Sequence, residues 1–208
     1  MRTPKKIVVV LDDAHGEDVA GKRSPDGRHL EWKWSRERNK QIKIILEAMG
    51  FEVYLSNPTN KEIGLTTRRK FVENLKVKPG QIKLFISSHN NAKGMGDKWY
   101  DARGFEIWTK KGIDMADDFA TLSFPVMKRW FPEMRMRVYD NKPGFMDKEG
   151  ELSVLKAEGV YSMLFEYKFQ DNKLDVEDLL NPVLNKRYED AIADIVEVCE
   201  AFVNKLAA

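Results

Sequence analysis

The hydrophobic positions of the chain form short unbroken runs that are separated by longer stretches with helical spacing. The first run, residues 7–11, contains four β-branched side chains followed by a leucine, a composition typical of a strand that is buried on both faces of a sheet. Further strands are predicted at residues 51–55, 82–87, 104–109 and 160–165. Because strands of a parallel sheet are covered on both sides, the apolar first strand favours a parallel arrangement.

The segments between the strands carry helical periodicity. Ile42, Ile45, Leu46 and Met49 recur at the spacing of one helix face, and Gly50 is the residue expected to end this first helix. The other predicted helices cover residues 66–75, 114–124 and 185–205. Strands that alternate with helices predict a single α/β domain, in which a mostly parallel, twisted sheet is flanked by helices on both faces.

Length, charge and cysteine content narrow the class of protein. A chain of 208 residues can bury a core without disulfides or a structural metal, so a metal here is expected to be functional. The 35 basic and 33 acidic residues are mixed along the chain, and without a basic block we expect no nucleic-acid partner. No apolar segment is long enough to span a bilayer, so we expect no membrane insertion. The single cysteine, Cys199, lies on the apolar stripe of the last helix and is interpreted as a core residue.

Polar residues with catalytic potential follow several of the predicted strands. His15 comes shortly after the first strand, His89 after the third and Glu166 after the fifth, whereas Glu31 opens the first helix. In an open parallel sheet, these positions meet at the carboxyl ends of the strands, where ligands bind. Histidine and carboxylate side chains are the usual ligands of a catalytic zinc ion. The sequence therefore predicts a metal site with a further carboxylate that serves as a base.

Spacing alone leaves the choice of ligands open. His29 lies two residues before Glu31 and could supply the third ligand in its place. Four acidic residues could also reach a metal near His15, namely Asp12, Asp13, Glu17 and Asp18. Each histidine or glutamate, taken singly, is more often an ordinary surface residue. The prediction of a metal site therefore depends on the joint placement of these residues.

Four parts of the chain carry a recognisable pattern. They are residues 12–17, Glu31, residues 87–91 and residues 166–172, which read Asp-Asp-Ala-His-Gly-Glu, Glu, Ser-Ser-His-Asn-Asn and Glu-Tyr-Lys-Phe-Gln-Asp-Asn. In order and spacing they resemble the motifs of zinc-dependent N-acetylmuramoyl-L-alanine amidases, which have Asp-x-Gly-His-Gly-Gly, a helix-opening Glu, Ser-x-His-x-Asn and Glu-x-Gly-Phe-x-x-Asn. The strand with Gly104 and Glu106 also resembles the family's Gly-x-Glu strand. The resemblance extends over about residues 7–172.

The resemblance implies a role for each of the four residues. His15, Glu31 and His89 would bind Zn²⁺, and Glu166 would be the catalytic carboxylate. The implied fold is an α/β domain of the phosphorylase/hydrolase-like type. The implied activity is zinc-dependent hydrolysis of the amide bond between N-acetylmuramic acid and L-alanine, so the expected partner is bacterial peptidoglycan.

We expect residues 1–208 to form one catalytic domain without a separate cell-wall-binding domain. Lys5 and Lys6 precede an apolar run that is too short for a signal peptide. This predicts a protein made in the cytoplasm without an export signal, which acts in the periplasm or cell wall as a phage endolysin does. A host periplasmic enzyme whose signal has been removed is the alternative.

Three positions depart from the family pattern, and two other activities stay open. Ala14 and Glu17 stand where glycines are usual, and Lys168 replaces the glycine that follows Glu166 by two residues. None of these departures removes a ligand. The same four residues would serve another zinc-dependent peptidoglycan amide hydrolase, such as a carboxypeptidase, and a catalytically inactive wall-binding relative would retain the same fold.

Overall fold

The computed structural model describes residues 5–139 and 143–207 of the chain. Within these residues the strands are β1 (Ile7–Asp13), β2 (Glu52–Leu55), β3 (Ile82–Asn91), β4 (Phe105–Thr109), β5 (Lys148–Glu149) and β6 (Tyr161–Phe169). The helices are α1 (Glu31–Ala48), α2 (Leu65–Asn74), α3 (Met115–Trp130), α4 (Lys173–Leu180) and α5 (Pro182–Leu206). A short 3-10 turn, Ser153–Lys156, precedes β6.

The strands form one mixed sheet in the order β2-β1-β3-β6-β4-β5. Strands β2, β1, β3 and β6 are parallel, whereas β4 runs antiparallel to β6 and pairs with β5 in parallel. The prediction of a mostly parallel sheet is therefore confirmed, with a reversal near one side. The carboxyl ends of β1, β3 and β6 lie at the same edge of the sheet, and the first residues of β4 join them there because that strand runs the other way.

Helices cover both faces of the sheet, as predicted. Helices α1, α3 and α5 pack against one face through buried side chains such as Ile42, Phe119 and Ile192. Helix α2 and the 3-10 turn cover the other face through Val72 and Leu155. Burial of these apolar groups is the main force that holds the layers together. The layered core leaves the carboxyl edge of the sheet to loops and polar side chains.

Two helix ends test the sequence rules directly. Helix α1 opens at Glu31 and ends just before Gly50, whose φ of 91° lies in the region that favours glycine. Helix α3 was predicted to end at Phe124, but it continues through Pro125 to Trp130. Its buried face extends to Val126 and Met127. We attribute the continuation to tertiary packing, which outweighs the loss of one helical hydrogen bond at the proline.

Helix α4 and strand β5 are absent from the sequence prediction. Helix α4 has only eight residues, which is short for a periodicity argument. Its cap was nevertheless a usable signal, because the Asn172 side chain accepts hydrogen bonds from the backbone N–H groups of Leu174 and Asp175. Helix α5 begins at Pro182, capped by Asn181, three residues before the predicted start.

Two segments of the chain, residues 16–29 and 139–150, are rich in polar residues. Residues 16–29 form a loop of turns between β1 and α1. Of the second segment, residues 140–142 lie outside the described residues, and Lys148–Glu149 form β5. Cys199 is buried in the core on α5, as predicted. In the described part of the chain, every helix is too short or too polar to cross a bilayer.

Candidate active site

The three predicted metal ligands come together at the carboxyl edge of the sheet. One nitrogen each from His15 and His89 and one carboxylate oxygen of Glu31 lie within 4.8 Å of one another. Glu31 Oε1 is 2.9 Å from His89 Nδ1 and 3.4 Å from His15 Nε2. The two imidazole rings meet edge to face, with a centroid distance of 5.0 Å. Among the described residues, this is the one group of three such side chains close enough to share an ion.

Two buried arginines hold the loop that carries His15. The φ of His15 is 51°, in the left-handed region, which a non-glycine residue adopts only at a cost in free energy. The guanidinium groups of Arg36 and Arg68 donate hydrogen bonds to the His15 carbonyl at 2.7 and 3.2 Å. Arg36 also donates to the Ala14 carbonyl at 3.0 Å, and Arg68 donates to that of Asp13. These contacts offset the strain and fix the direction in which the His15 ring points.

Glu31 is the centre of the polar network. Its side chain is buried at the start of α1, and its two oxygens also accept hydrogen bonds from the Asn90 backbone at 3.2 Å and the Gln170 amide at 3.0 Å. Burial disfavours the ionised form, but hydrogen bonds with His15 and His89 outweigh it and hold the pKa of Glu31 well below its usual range. Burial also disfavours the charged form of His89 and by itself would lower the pKa of that ring. The hydrogen bond and negative charge of Glu31 outweigh this effect, so the pKa of His89 is raised. The lowered pKa of Glu31 favours an ionised carboxylate in the site, which attracts a cation.

Glu166 lies beside His89 on one face of the sheet. The strand register pairs His89 with Glu166 across β3 and β6, and Glu166 with Glu106 across β6 and β4. Glu166 Oε2 is enclosed and has no hydrogen-bond partner among the described residues. Burial raises the pKa of Glu166 to about 8, with the charge of His89 acting against the shift and that of Glu31 adding to it. A carboxylate with such a pKa can accept and release a proton near neutral pH.

A bulge in β6 redirects the chain after Glu166. The pairing with β3 shifts by one residue at this point, and Lys168 has a φ of 62°. This conformation favours glycine, which explains why the family pattern has glycine where this chain has lysine. The Lys168 ammonium forms an ion pair with Asp178 on α4. Beyond the bulge, Gln170 is placed where its amide reaches Glu31.

His29, the competing ligand candidate, is engaged elsewhere. Its Nε2 lies 2.8 Å from Asn90 Oδ1. Because the Asn90 amide nitrogen donates to the Tyr167 carbonyl at 2.7 Å, the Asn90 oxygen is the end that accepts a proton from His29. Burial lowers the pKa of His29, which favours the neutral ring. The structure therefore brings His29 next to the site but not into the ligand group.

The four acidic candidates also form other contacts. Their partners are the Ser87 hydroxyl for Asp12 (2.6 Å), the Asn39 amide for Asp13 (2.7 Å), the Lys61 ammonium for Glu17 (2.9 Å) and the Glu62 backbone N–H for Asp18 (2.9 Å). Asp12 and Asp13 are buried, and their hydrogen bonds tie β1 to its neighbours. None of the four belongs to the group of side chains that could share an ion.

Sequence reasoning missed several residues that hold the site together. Gln170, Arg36 and Arg68 contact the candidate ligands or the loop that carries one of them. Arg36 and Arg68 lie outside the recognisable motifs, and Gln170 stands at a position that its motif leaves open. Arg36 follows Glu31 by five residues on the same helix, but its burial beside the His15 loop is evident only from the structure. Gln170 could not be found, since its approach to Glu31 depends on the bulge.

A His–Glu–His group beside a further carboxylate is the kind of side-chain set that metallohydrolases use. The chain matches the family model described as N-acetylmuramoyl-L-alanine amidase over residues 9–198. The chain therefore belongs to the N-acetylmuramoyl-L-alanine amidase family, whose members cleave peptidoglycan. No curated protein sequence is similar enough to count as a match.

Solved amidase structures share this fold at low sequence identity. The amidase CwlD of Clostridioides difficile, solved in complex with the GerS lipoprotein, is 16% identical with a TM-score of 0.76, over 95% of this chain and 99% of that one. Ami1 of Mycobacterium smegmatis is 15% identical with a TM-score of 0.78, over 96% and 99%. The catalytic domain of an endolysin that targets Clostridia difficile is 16% identical with a TM-score of 0.57, over 95% and 97%. The fold is therefore that of amidase catalytic domains.

Proposed function

We propose that His15, Glu31 and His89 hold a Zn²⁺ ion and that Glu166 is the general base and acid of a peptidoglycan amidase. The observation that carries this proposal is the meeting of three ligand atoms within 4.8 Å, next to a carboxylate that is paired in register with His89. Three protein ligands with one position left for water are typical of a catalytic zinc site.

The residues fit this ion. Two imidazole nitrogens and one carboxylate oxygen form a donor set that a catalytic zinc would accept, and these three atoms lie within 4.8 Å of one another. Glu31 is ionised, so it supplies the negative charge that favours a divalent cation. Gln170 and the Asn90 backbone orient both oxygens of this carboxylate. Such outer hydrogen bonds are a regular feature of metal sites.

When bound, zinc lowers the pKa of a coordinated water molecule towards about 7 and stabilises the negative charge that develops on the carbonyl oxygen. Glu166 takes the proton from the attacking water, since its Oε2 is enclosed and free of partners among the described residues. The water oxygen bonds to the carbonyl carbon of the amide, and Glu166 returns the proton to the L-alanine nitrogen as the carbon–nitrogen bond breaks.

The test of these roles is Glu166→Gln, which keeps the shape of the side chain and removes its basicity. We expect this variant to bind one zinc ion per chain as the wild type does and to lose at least about a thousandfold in kcat, within the range for general acid–base catalysis. Zinc content is measured after dialysis, and hydrolysis is followed by mass analysis of muropeptide products. Glu197→Gln, an exposed position on α5, is the matched control.

Two outcomes would contradict the assignment. Activity within tenfold of wild type in Glu166→Gln would remove Glu166 from the chemistry. Loss of zinc from Glu166→Gln would make Glu166 a ligand and not the base. The products also separate the amidase from a carboxypeptidase, because only the amidase releases a stem peptide with a free L-alanine amine. The family match favours the amidase.

The biological setting is part of the same proposal. Support for wall lysis comes from the likeness to an endolysin catalytic domain, and peptidoglycan is the substrate that the family implies. Purified protein added to permeabilised bacteria should lower the turbidity of the suspension. Release of a few stem peptides without lysis would indicate wall remodelling.

A further inference from the structure

A cluster of charged residues lies directly beside Glu166 and takes no part in the proposed metal site. Glu106 on β4 is in register with Glu166 on β6. Its carboxylate forms ion pairs with Arg137 and with Lys148, the latter at 2.9 Å, and accepts a hydrogen bond from the Trp108 indole at 3.2 Å. Glu106 itself is only 3% exposed. The cluster is therefore anchored in the sheet and is not a loose surface ion pair.

Both cations are held in place from a second side. The Arg137 guanidinium lies over the Phe169 ring at 5.2 Å from its centroid, and the Lys148 ammonium lies over the Trp108 ring at 5.3 Å. The side chains nevertheless stay accessible, with 28% of Arg137 and 20% of Lys148 exposed. Positioned cations that still face solvent can bind an anion with little loss of side-chain entropy.

The cluster has two cations and one anion among the residues that the structure describes. Among the described residues, Arg137 and Lys148 have the same ion-pair partner, Glu106. Within this group of three described residues, two positive charges thus share one negative charge. A substrate that brings one carboxylate to this place would complete the pairing.

The position of the cluster matches one group of the substrate. Neighbouring strands are about 4.8 Å apart, so Glu106 is one strand spacing from Glu166, and the two cations contact its carboxylate. An extended peptide advances about 3.5 Å per residue. The cations therefore lie roughly two residue lengths from the bond that is cut. With L-alanine as the first residue of the stem, the second residue reaches the cluster.

We propose that Arg137 and Lys148 form a subsite for a free carboxylate on the second residue of the stem peptide, with Glu106 holding both cations in place. This inference rests on the proposed function, because it takes the position of the cut bond from Glu166. It makes the charge of the second stem residue a determinant of specificity. The stem peptide then lies across β4.

The experiment compares two muropeptides that differ only at the second stem residue, which carries either a carboxylate or a carboxamide. For the zinc-loaded wild type we expect kcat/KM to be about five- to tenfold higher for the carboxylate, as for a partly exposed charge-assisted hydrogen bond. In Lys148→Met the ratio of kcat/KM for the carboxylate to that for the carboxamide should fall below about twofold. The one remaining cation, Arg137, is then balanced by Glu106 and attracts the substrate carboxylate less. Lys148→Arg should keep it.

Two controls make the result specific. Lys40→Met removes an exposed lysine of α1 and should leave the ratio unchanged. For the wild type alone, raising the ionic strength should lower kcat/KM for the carboxylate more than for the carboxamide, a readout that needs no variant. Equal hydrolysis of both muropeptides by the wild type, or an unchanged ratio in Lys148→Met, would overturn the subsite. If neither muropeptide were cut, the proposed function itself would fail, and the subsite with it.

Discussion

Gln170 is the residue whose replacement tests most sharply how Glu31 is held. The Gln170 amide donates to Glu31 Oε2 at 3.0 Å, and Gln170 is 2% exposed. Gln170→Met keeps the length of the side chain and removes the donor. The ligand atom Oε1 keeps its contacts, but the carboxylate loses the hydrogen bond that fixes its rotation. We therefore expect weaker zinc binding without loss of the fold.

The magnitude follows from the hydrogen bond that is lost. A hydrogen bond to a charged group contributes about 1.5–3 kcal/mol, and about 1.4 kcal/mol corresponds to a factor of ten in affinity. This hydrogen bond exists both with and without the metal, so most of its free energy cancels when zinc binds. Only the fraction that fixes the Glu31 carboxylate in the orientation needed for the metal changes the zinc affinity. We expect about a tenfold rise in the zinc dissociation constant, at the lower end of the range known for outer-sphere partners.

The assay is competition for zinc with a chromophoric chelator, with Gln41→Met as the matched control at an exposed position of α1. Thermal unfolding of the metal-free proteins checks that both variants fold. A dissociation constant for Gln170→Met within twofold of wild type would refute the reasoning, because Glu31 would then be oriented without Gln170. A similar loss in Gln41→Met would show that the effect is not local.

Two further predictions test the neighbours of the site. His29→Gln should keep the zinc dissociation constant within about threefold of wild type, because glutamine can still donate a hydrogen bond to Asn90 Oδ1. Loss of zinc binding in this variant would identify His29 as a ligand. Lys168→Gly should be more stable than Lys168→Ala by about 1 kcal/mol in denaturant unfolding, because both variants lose the ion pair with Asp178 but only glycine relieves the left-handed conformation. Equal stability of the two Lys168 variants would mean that the bulge relaxes instead.

The edge of the sheet at which the candidate residues meet was predictable, and the orientation of its strands was predictable in part. His15, His89 and Glu166 follow apolar runs whose carboxyl ends converge in any parallel sheet, so their meeting required no knowledge of side-chain packing. The strand boundaries were less accurate, because β3 and β6 extend through His89 and Glu166, which lie in the strands and not after them. Polar residues at the ends of these strands interrupt the run of apolar residues, so the pattern of apolar residues predicts strands that are too short.

The support for the site could not be read from the sequence. Gln170 reaches Glu31 only because the bulge at Lys168 shifts the register by one residue, and a bulge at a non-glycine residue leaves no local signal. The reversed direction of β4, which brings Glu106 beside Glu166, depends on strand pairing and not on the period of the strand. Short helices such as α4 (Lys173–Leu180) fall below the length at which periodicity is informative.

The most direct test of the account is zinc titration of chelator-treated protein, with amidase activity measured at each step. We predict that activity rises in proportion to bound zinc and stops rising at one equivalent per chain. We also predict that His89→Ala binds no zinc in this range and stays inactive, because it lacks one of the three proposed ligand atoms. Full activity in the chelator-treated wild type, or a stoichiometric zinc site that survives His89→Ala, would contradict the account.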